Sequence, residues 1–287
     1  MFSRIHDVKR WSRTGISEMS ERIGGLERLL RREGVVVLGS LLAITVISWL
    51  YMVLLTARMA GGDMSFIGMG TMTTGAVMNM QPEPWSLATF LLMLIMWWVM
   101  MIGMMVPSAA PMILIFARAQ RSKLPDENPG VRIALFTLGY LLLWLTFSIG
   151  ATSLQWGLGY IAVLCPTIIS SSKYLGPSIF FAAGIYQLTP LKLACLAHCR
   201  SPIMFLSSHW HIGDWGALRM GLAHGAYCVG CCWILMGLLF FGGVMNLLWI
   251  AAIAVFVLLE KILPTAWMIS RLSGIGMLCF SVILLNQ

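Results

Sequence analysis

Four residues with soft or borderline donor atoms fall close together in one apolar stretch: His224, Cys228, Cys231 and Cys232. Their steps of 4, 3 and 1 put His224, Cys228 and Cys231 on one helical face, with Cys232 beside it. Imidazole with thiolate suits Cu(I) or Zn(II). An ionisable side chain inside a long apolar segment is costly, and is a functional candidate for that reason. Gly221, Gly225 and Gly230 thin the same helix, so that a neighbour can approach. Two other readings compete. The histidine can be satisfied by a neighbouring helix with the cysteines as small apolar residues, or Cys228-Val-Gly-Cys231 can act as a CxxC redox pair.

A second group precedes it. Cys195, His198 and Cys199 are spaced i, i+3, i+4, one face of a helix, and His209, His211 and Asp214 follow. They form a candidate inner metal site; the alternative is surface histidines in a polar loop with incidental cysteines. Methionine supplies two further groups. Met59, Met64, Met69, Met72, Met78 and Met80 crowd the segment 58–85. At about 100° per residue, Met93, Met96, Met100 and Met104 form one stripe of a helix, and Met101, Met105 and Met112 a second. Thioether sulfur is a soft ligand suited to Cu(I). Apolar stripes at helical spacing also pack cores, and methionine is flexible packing material. Pro107 and Pro111 are expected to kink or break that helix near Ser108.

The elements that must position these groups follow from composition. Apolar residues make up 59% of the 287-residue chain and charged residues only 10%, with 22 Met, 12 Trp and 7 Cys. Mean hydropathy is +0.86. A soluble domain carries roughly a quarter charged residues, so a polytopic membrane protein is expected. Apolar runs long enough to cross begin at Val35, Ser86, Ile133, Tyr174, Ala217, Val244 and Ala266. The expectation is an all-α transmembrane helical bundle of about seven spans, or six if two of them pair as a re-entrant hairpin. Residues 1–34 form a cytoplasmic amphipathic tail, with Ile16, Met19, Ile23, Leu26 and Leu30 on one face. Residues 35–287 form the helical domain, with the Met-rich outer loop at 58–85 and a cytoplasmic Cys/His loop at 195–216.

Sidedness follows from Lys and Arg. The tail, the second–third connection (Arg118 to Arg132) and the fourth–fifth connection (Lys192, Arg200, Arg219) are basic, and Lys261 and Arg271 flank the last turn. With seven spans these all lie on one side. The N-terminus is then cytoplasmic and the C-terminus outside, in a bacterial inner membrane. The net charge of +8 reads as topology rather than a nucleic-acid surface, because no aromatic-interleaved basic patch occurs. Glu260-Lys261 reads as a local ion pair or an interfacial anchor. Paired carboxylates, a Ser/His/Asp arrangement and a phosphate loop are missing, so hydrolase, kinase or ATPase chemistry has no support and a non-enzyme is expected. Cys165 and Cys279 lie on different segments, which argues against a disulfide framework.

The block Met100-Met101-Ile-Gly-Met104-Met105-Val-Pro107-Ser108, followed by Pro111, resembles a bacterial domain-of-unknown-function family of predicted metal-binding integral membrane proteins, often named copper chaperones. The resemblance continues through Gln187-Leu-Thr-Pro190-Leu-Lys192, Cys195, Cys199-Arg200 and Pro202, then His224-Gly225 and Cys228-Val-Gly230-Cys231-Cys232-Trp233. Met245-Asn246, Trp249, Glu260-Lys261 and Pro264 complete it. It implies metal handling. With the residues, it gives the expectation of a membrane protein that takes Cu(I) on thioethers, holds it on His224, Cys228, Cys231 and Cys232, and exchanges it through Cys195, His198 and Cys199. A membrane metalloenzyme or a copper carrier is the expected partner. Thiolate and imidazole must lose a proton to bind metal and thioether need not, so holding on the Cys/His group should weaken in acid. Two other functions remain open: a structural accessory subunit of a membrane enzyme complex, and a membrane oxidoreductase using the Cys228/Cys231 thiols or a His224-ligated haem.

Overall fold

A computed structural model describes residues 34–58, 86–123, 129–160 and 174–286. The amphipathic tail, the Met-rich segment from Met59 to Met80, and Cys165 lie outside the described residues. Among the described residues the chain is helical, with no strand: α1 (Gly34–Arg58), α2 (Leu87–Lys123), α3 (Pro129–Tyr160), α4 (Leu175–Leu188) and α5 (Pro190–Arg200). There follow α6 (Pro202–His209), α7 (Gly213–Gly237), α8 (Leu239–Gly242), α9 (Leu247–Ile262) and α10 (Ala266–Leu285).

Each of the seven apolar runs folds as helix, but they are not equal. Five helices are long and apolar enough to cross a membrane: α1, α2, α3, α7 continued by α8, and α10. The fourth run breaks where Pro190 starts α5, and α4 and α5 meet at a 66° bend; counted as one broken span they make six. Pro190 cannot donate to the α4 ladder, and the Thr189 hydroxyl accepts from Lys192 N to cap the new helix. α9 has only 16 residues, about 24 Å of rise against a hydrocarbon core of about 30 Å. The helix lengths thus support five or six crossings rather than seven.

Alternation of direction is nonetheless kept. α2 and α3 are antiparallel, with Trp97 Nε1 donating to Gln155 at one end and Phe116 stacked on Phe136 at the other. α9 is antiparallel to α7, with Trp249 Nε1 donating to Leu238 O and Lys261 reaching Cys228. α4 and α10 are antiparallel through Gly184 against Gly274 and Pro177 O accepting from Ser281.

The tightest crossing is that of α3 on α7, where bare backbone meets backbone. A Cβ added at Gly221 would land on the Phe136 carbonyl, and one at Gly139 on that of Leu218. This approach brings Tyr140 of α3 up against the cysteines of α7. α2 was expected to kink or break at its prolines. It does not break: the helix is continuous through Pro107 and Pro111, and the carbonyl that Pro107 cannot serve, that of Gly103, accepts from Trp49 Nε1 of α1 at 3.2 Å.

Gly221→Val forces these backbones apart and should destabilise the protein by about 1–3 kcal/mol. Gly150→Ala, where nothing lies within 4 Å, should leave it unchanged. Thermal unfolding in detergent followed by size-exclusion fluorescence checks both; equal midpoints would contradict this packing.

Candidate thiol centre

Half-way along α7, Cys228, Cys231 and Cys232 turn into the protein interior and are buried, as is His224 one turn earlier. Cys228 is the hub. Its Sγ lies 3.2 Å from the Tyr140 hydroxyl of α3 and accepts from Lys261 Nζ of α9 at 3.1 Å. Tyr140 donates to Met105 O at 3.1 Å, and Lys261 also donates to Ser108 Oγ at 2.8 Å. Ser108 in turn donates to Met105 O at 2.8 Å. One cation from α9 and one hydroxyl from α3 therefore converge on a single sulfur, and Ser108 of α2 holds the same cation. The Cys231 and Cys232 thiols turn back onto the Cys228 carbonyl, each at 3.1 Å.

The second Cys/His group, expected in a cytoplasmic loop, lies mostly within helices. Apart from a short connection around Trp210–Ile212 it is helix: α5, α6 and the start of α7. α5 lies on α7 because Gly230 has no side chain; a Cβ there would sit 2.9 Å from Cys195 Sγ, and Tyr186 donates to the Gly230 carbonyl. This brings Cys199, one turn on from Cys195, toward Cys228 and Cys231. Cys195 and Cys199 thus border the α7 thiols. His198 does not join. Its ring stacks on Tyr227 at 4.3 Å and its Nδ1 sits 2.9 Å from Ala194 O. His209 stacks on Phe205, and His211 contacts the His209 carbonyl, so the two do not complete a site with Cys195. Asp214 pairs with Arg132 of α3 at 3.2 Å.

His224 is enclosed by Phe136, Tyr140 and Phe205, and its buried Nδ1 has no hydrogen-bond partner. Among the described residues, no group of three or more His, Cys, Asp or Glu side chains is already arranged to hold a metal ion. The six cysteines among them are free. The methionine stripes separate in space. Met105 faces the thiol centre through its backbone, whereas Met100 and Met104 face α1 and α9. Met101 is fully buried in the core.

Sequence reasoning misassigned two neighbours. Glu260-Lys261 is neither a local ion pair nor an interfacial anchor. Glu260 pairs with Lys192 at the start of α5, its Oε1 at 2.6 Å and Oε2 at 2.8 Å from Nζ, and the two side chains are 2% and 0% exposed. Gln187 joins this pair from α4, accepting from Lys192 and donating to Glu260 at 3.3 Å; Ser270 of α10 donates to Glu260 at 2.8 Å. Lys192 and Lys261 are therefore internal partners rather than flanking topology charges. The available signal was a lysine and a glutamate lying within or at the end of apolar runs.

Fold and site together define an all-helical protein with membrane-length apolar helices and free thiols gathered at its centre. Residues 94–284 match the model of the PpoB2 family, described as copper chaperones, and the chain belongs to that family. No curated protein and no solved structure matches it.

Removing one member of the buried pair leaves the other charge uncompensated. Lys192→Met or Glu260→Gln alone should cost about 3–5 kcal/mol, and Lys192→Met with Glu260→Met should recover much of it. Unfolding midpoints of the three variants check this; additive losses in the double variant would show that the pair is not coupled.

Proposed function

We propose that this protein is a multi-pass protein of the bacterial inner membrane that binds Cu(I) as cargo and passes it on, without catalysing a reaction. The observation that carries the reading is the burial of Cys228, Cys231 and Cys232 together on α7, with Lys261 against Cys228, in a chain of the copper chaperone family. Thiolates are soft ligands that favour Cu(I); Zn(II), which suits the same donors, is the weaker candidate. Two thiolates on one Cu(I) leave one net negative charge, and the Lys261 ammonium stands where it offsets that charge. His224 offers an imidazole one turn away.

Support for the membrane comes from the outward faces. Leu42, Val46, Ile47 and Leu50 of α1 and Leu272, Ile275, Val282 and Ile283 of α10 are exposed. Lipid would cover such surfaces and water would not. The basic tail argues for a cytoplasmic N-terminus. On this reading the thiols hold the ion inside the bundle, and weak thiol–carbonyl bonds are exchanged for metal bonds when it arrives. A copper carrier or a membrane metalloenzyme is the partner.

Elemental analysis of the protein purified under reducing conditions tests the assignment. Wild type should retain copper in preference to zinc, and Cys228→Ser/Cys231→Ser should hold it at least about tenfold more weakly. Unchanged copper in that variant would remove the thiols from the site. A haem absorbance band, or oxidant-dependent loss of a pair of titratable thiols with no bound metal, would favour the oxidoreductase instead.

A further inference from the structure

A second set of soft donors lies where α1 packs on α2 and α9. Met52 of α1 meets Met100 and Met104 of α2 around one small cavity, beside Ser48, Trp49 and Gly103, with Ile250 of α9 closing the third side. All three methionines are buried. The arrangement follows from the sequence in three steps. Pro107 leaves the Gly103 carbonyl without its helical donor. Trp49 supplies that donor at 3.2 Å and so pins α1 to this level of α2. Gly103 has no side chain to fill the gap, and a Cβ there would press on Ser48 at 3.2 Å. Met52, one turn after Trp49, is then held opposite Met100 and Met104.

We propose that Met52, Met100 and Met104 form a second Cu(I) site, made of thioethers alone and separate from the thiol centre. The inference rests on the copper reading above and adds to it a site to which α1, outside the family match at 94–284, contributes. The chemistry of the lining selects the cargo. Its residues carry no carboxylate, imidazole or thiol. Hard cations and Zn(II) find no ligand of the type they prefer, whereas thioethers accept Cu(I) or Ag(I). The sulfurs are neutral and need lose no proton, so binding here is insensitive to acid. Met100 and Met104 occupy a face of α2 adjacent to the one carrying Ser108 and the Met105 carbonyl, so a single helix presents both sites.

Ag(I), a redox-inert stand-in for Cu(I), tests this on the full-length protein in detergent at about pH 5 and about pH 7. Met52→Leu/Met100→Leu/Met104→Leu, which roughly conserves volume, should bind about one equivalent less than wild type at both pH values. Sulfur should be the only near ligand by X-ray absorption for the ion that remains at the lower pH. Equal stoichiometry in variant and wild type would overturn the thioether site and leave the thiol assignment standing. No Ag(I) or Cu(I) on wild type at either pH would overturn both. Should the triple variant not elute as a single species, Met52→Leu alone decides: a roughly tenfold loss of affinity against a Cu(I) chelator supports the site, and an unchanged affinity overturns it.

Discussion

Two consecutive residues at the end of α9 tie this molecule together. Glu260 turns toward Lys192 and Gln187 at the α4–α5 bend and toward Ser270 of α10, while Lys261 turns toward Cys228 of α7 and Ser108 of α2. Successive side chains on a helix point about 100° apart, so Glu260 and Lys261 face two different polar centres. α9 stops just beyond them: Leu263 is extended ahead of Pro264, and its carbonyl, free of the helix, accepts from Arg200. The broken fourth run serves one of these centres. Lys192 must reach Glu260, and it does so because Pro190 starts a new helix two residues before it. A buried lysine and glutamate would be very costly apart; together, with an amide and a hydroxyl filling the remaining bonds, they fix α5, α9 and α10 at one depth.

From that depth the thiol centre follows. α5 is held against α7, and Gly230 lets it close until Cys195 reaches the α7 backbone, which brings Cys199 toward the α7 thiols. On the other side Gly221 and Gly225 let α3 close until Tyr140 does the same. Without a hydrophobic drive between helices in lipid, close backbone approach is the main source of such contacts. The glycines of α7 therefore act as positioning elements for its cysteines.

Much of this was legible in the sequence, and the rest was not for identifiable reasons. The apolar runs and the His/Cys face of α7 depend on local spacing, which a helix preserves, and they fold as read. The Lys192–Glu260 pair links positions 68 residues apart, and no local pattern marks which lysine is a partner and which a flank. The sorting of Met100 and Met104 away from Met105 depends on which neighbour each face meets. That depends on a proline effect, the freed Gly103 carbonyl, where the sequence shows only a kink or break. Cys195, His198 and Cys199 share a helical face as expected, yet separate in role, because a stacking partner at Tyr227 claims the histidine.

The two soft-donor groups also differ in how they balance charge, and that difference orders them. A thiolate centre becomes more negative as it ionises, and Lys261 stands within 3.1 Å of Cys228 to meet that charge. A thioether group stays neutral, and the cavity between α1, α2 and α9 provides no counter-charge for a bound cation, only polarisable sulfur and an indole. On the proposed reading, Cu(I) on thioethers would be a bare cation held by soft contacts, while Cu(I) on thiolates would be a compensated ion held by stronger ones. Transfer from the first to the second would then run downhill in binding strength whenever the thiols can release their protons. The return would require those protons back or a stronger thiol acceptor. α2, with Met100 and Met104 on one face and Ser108 beside the thiols on the next, is the element across which such a step would pass.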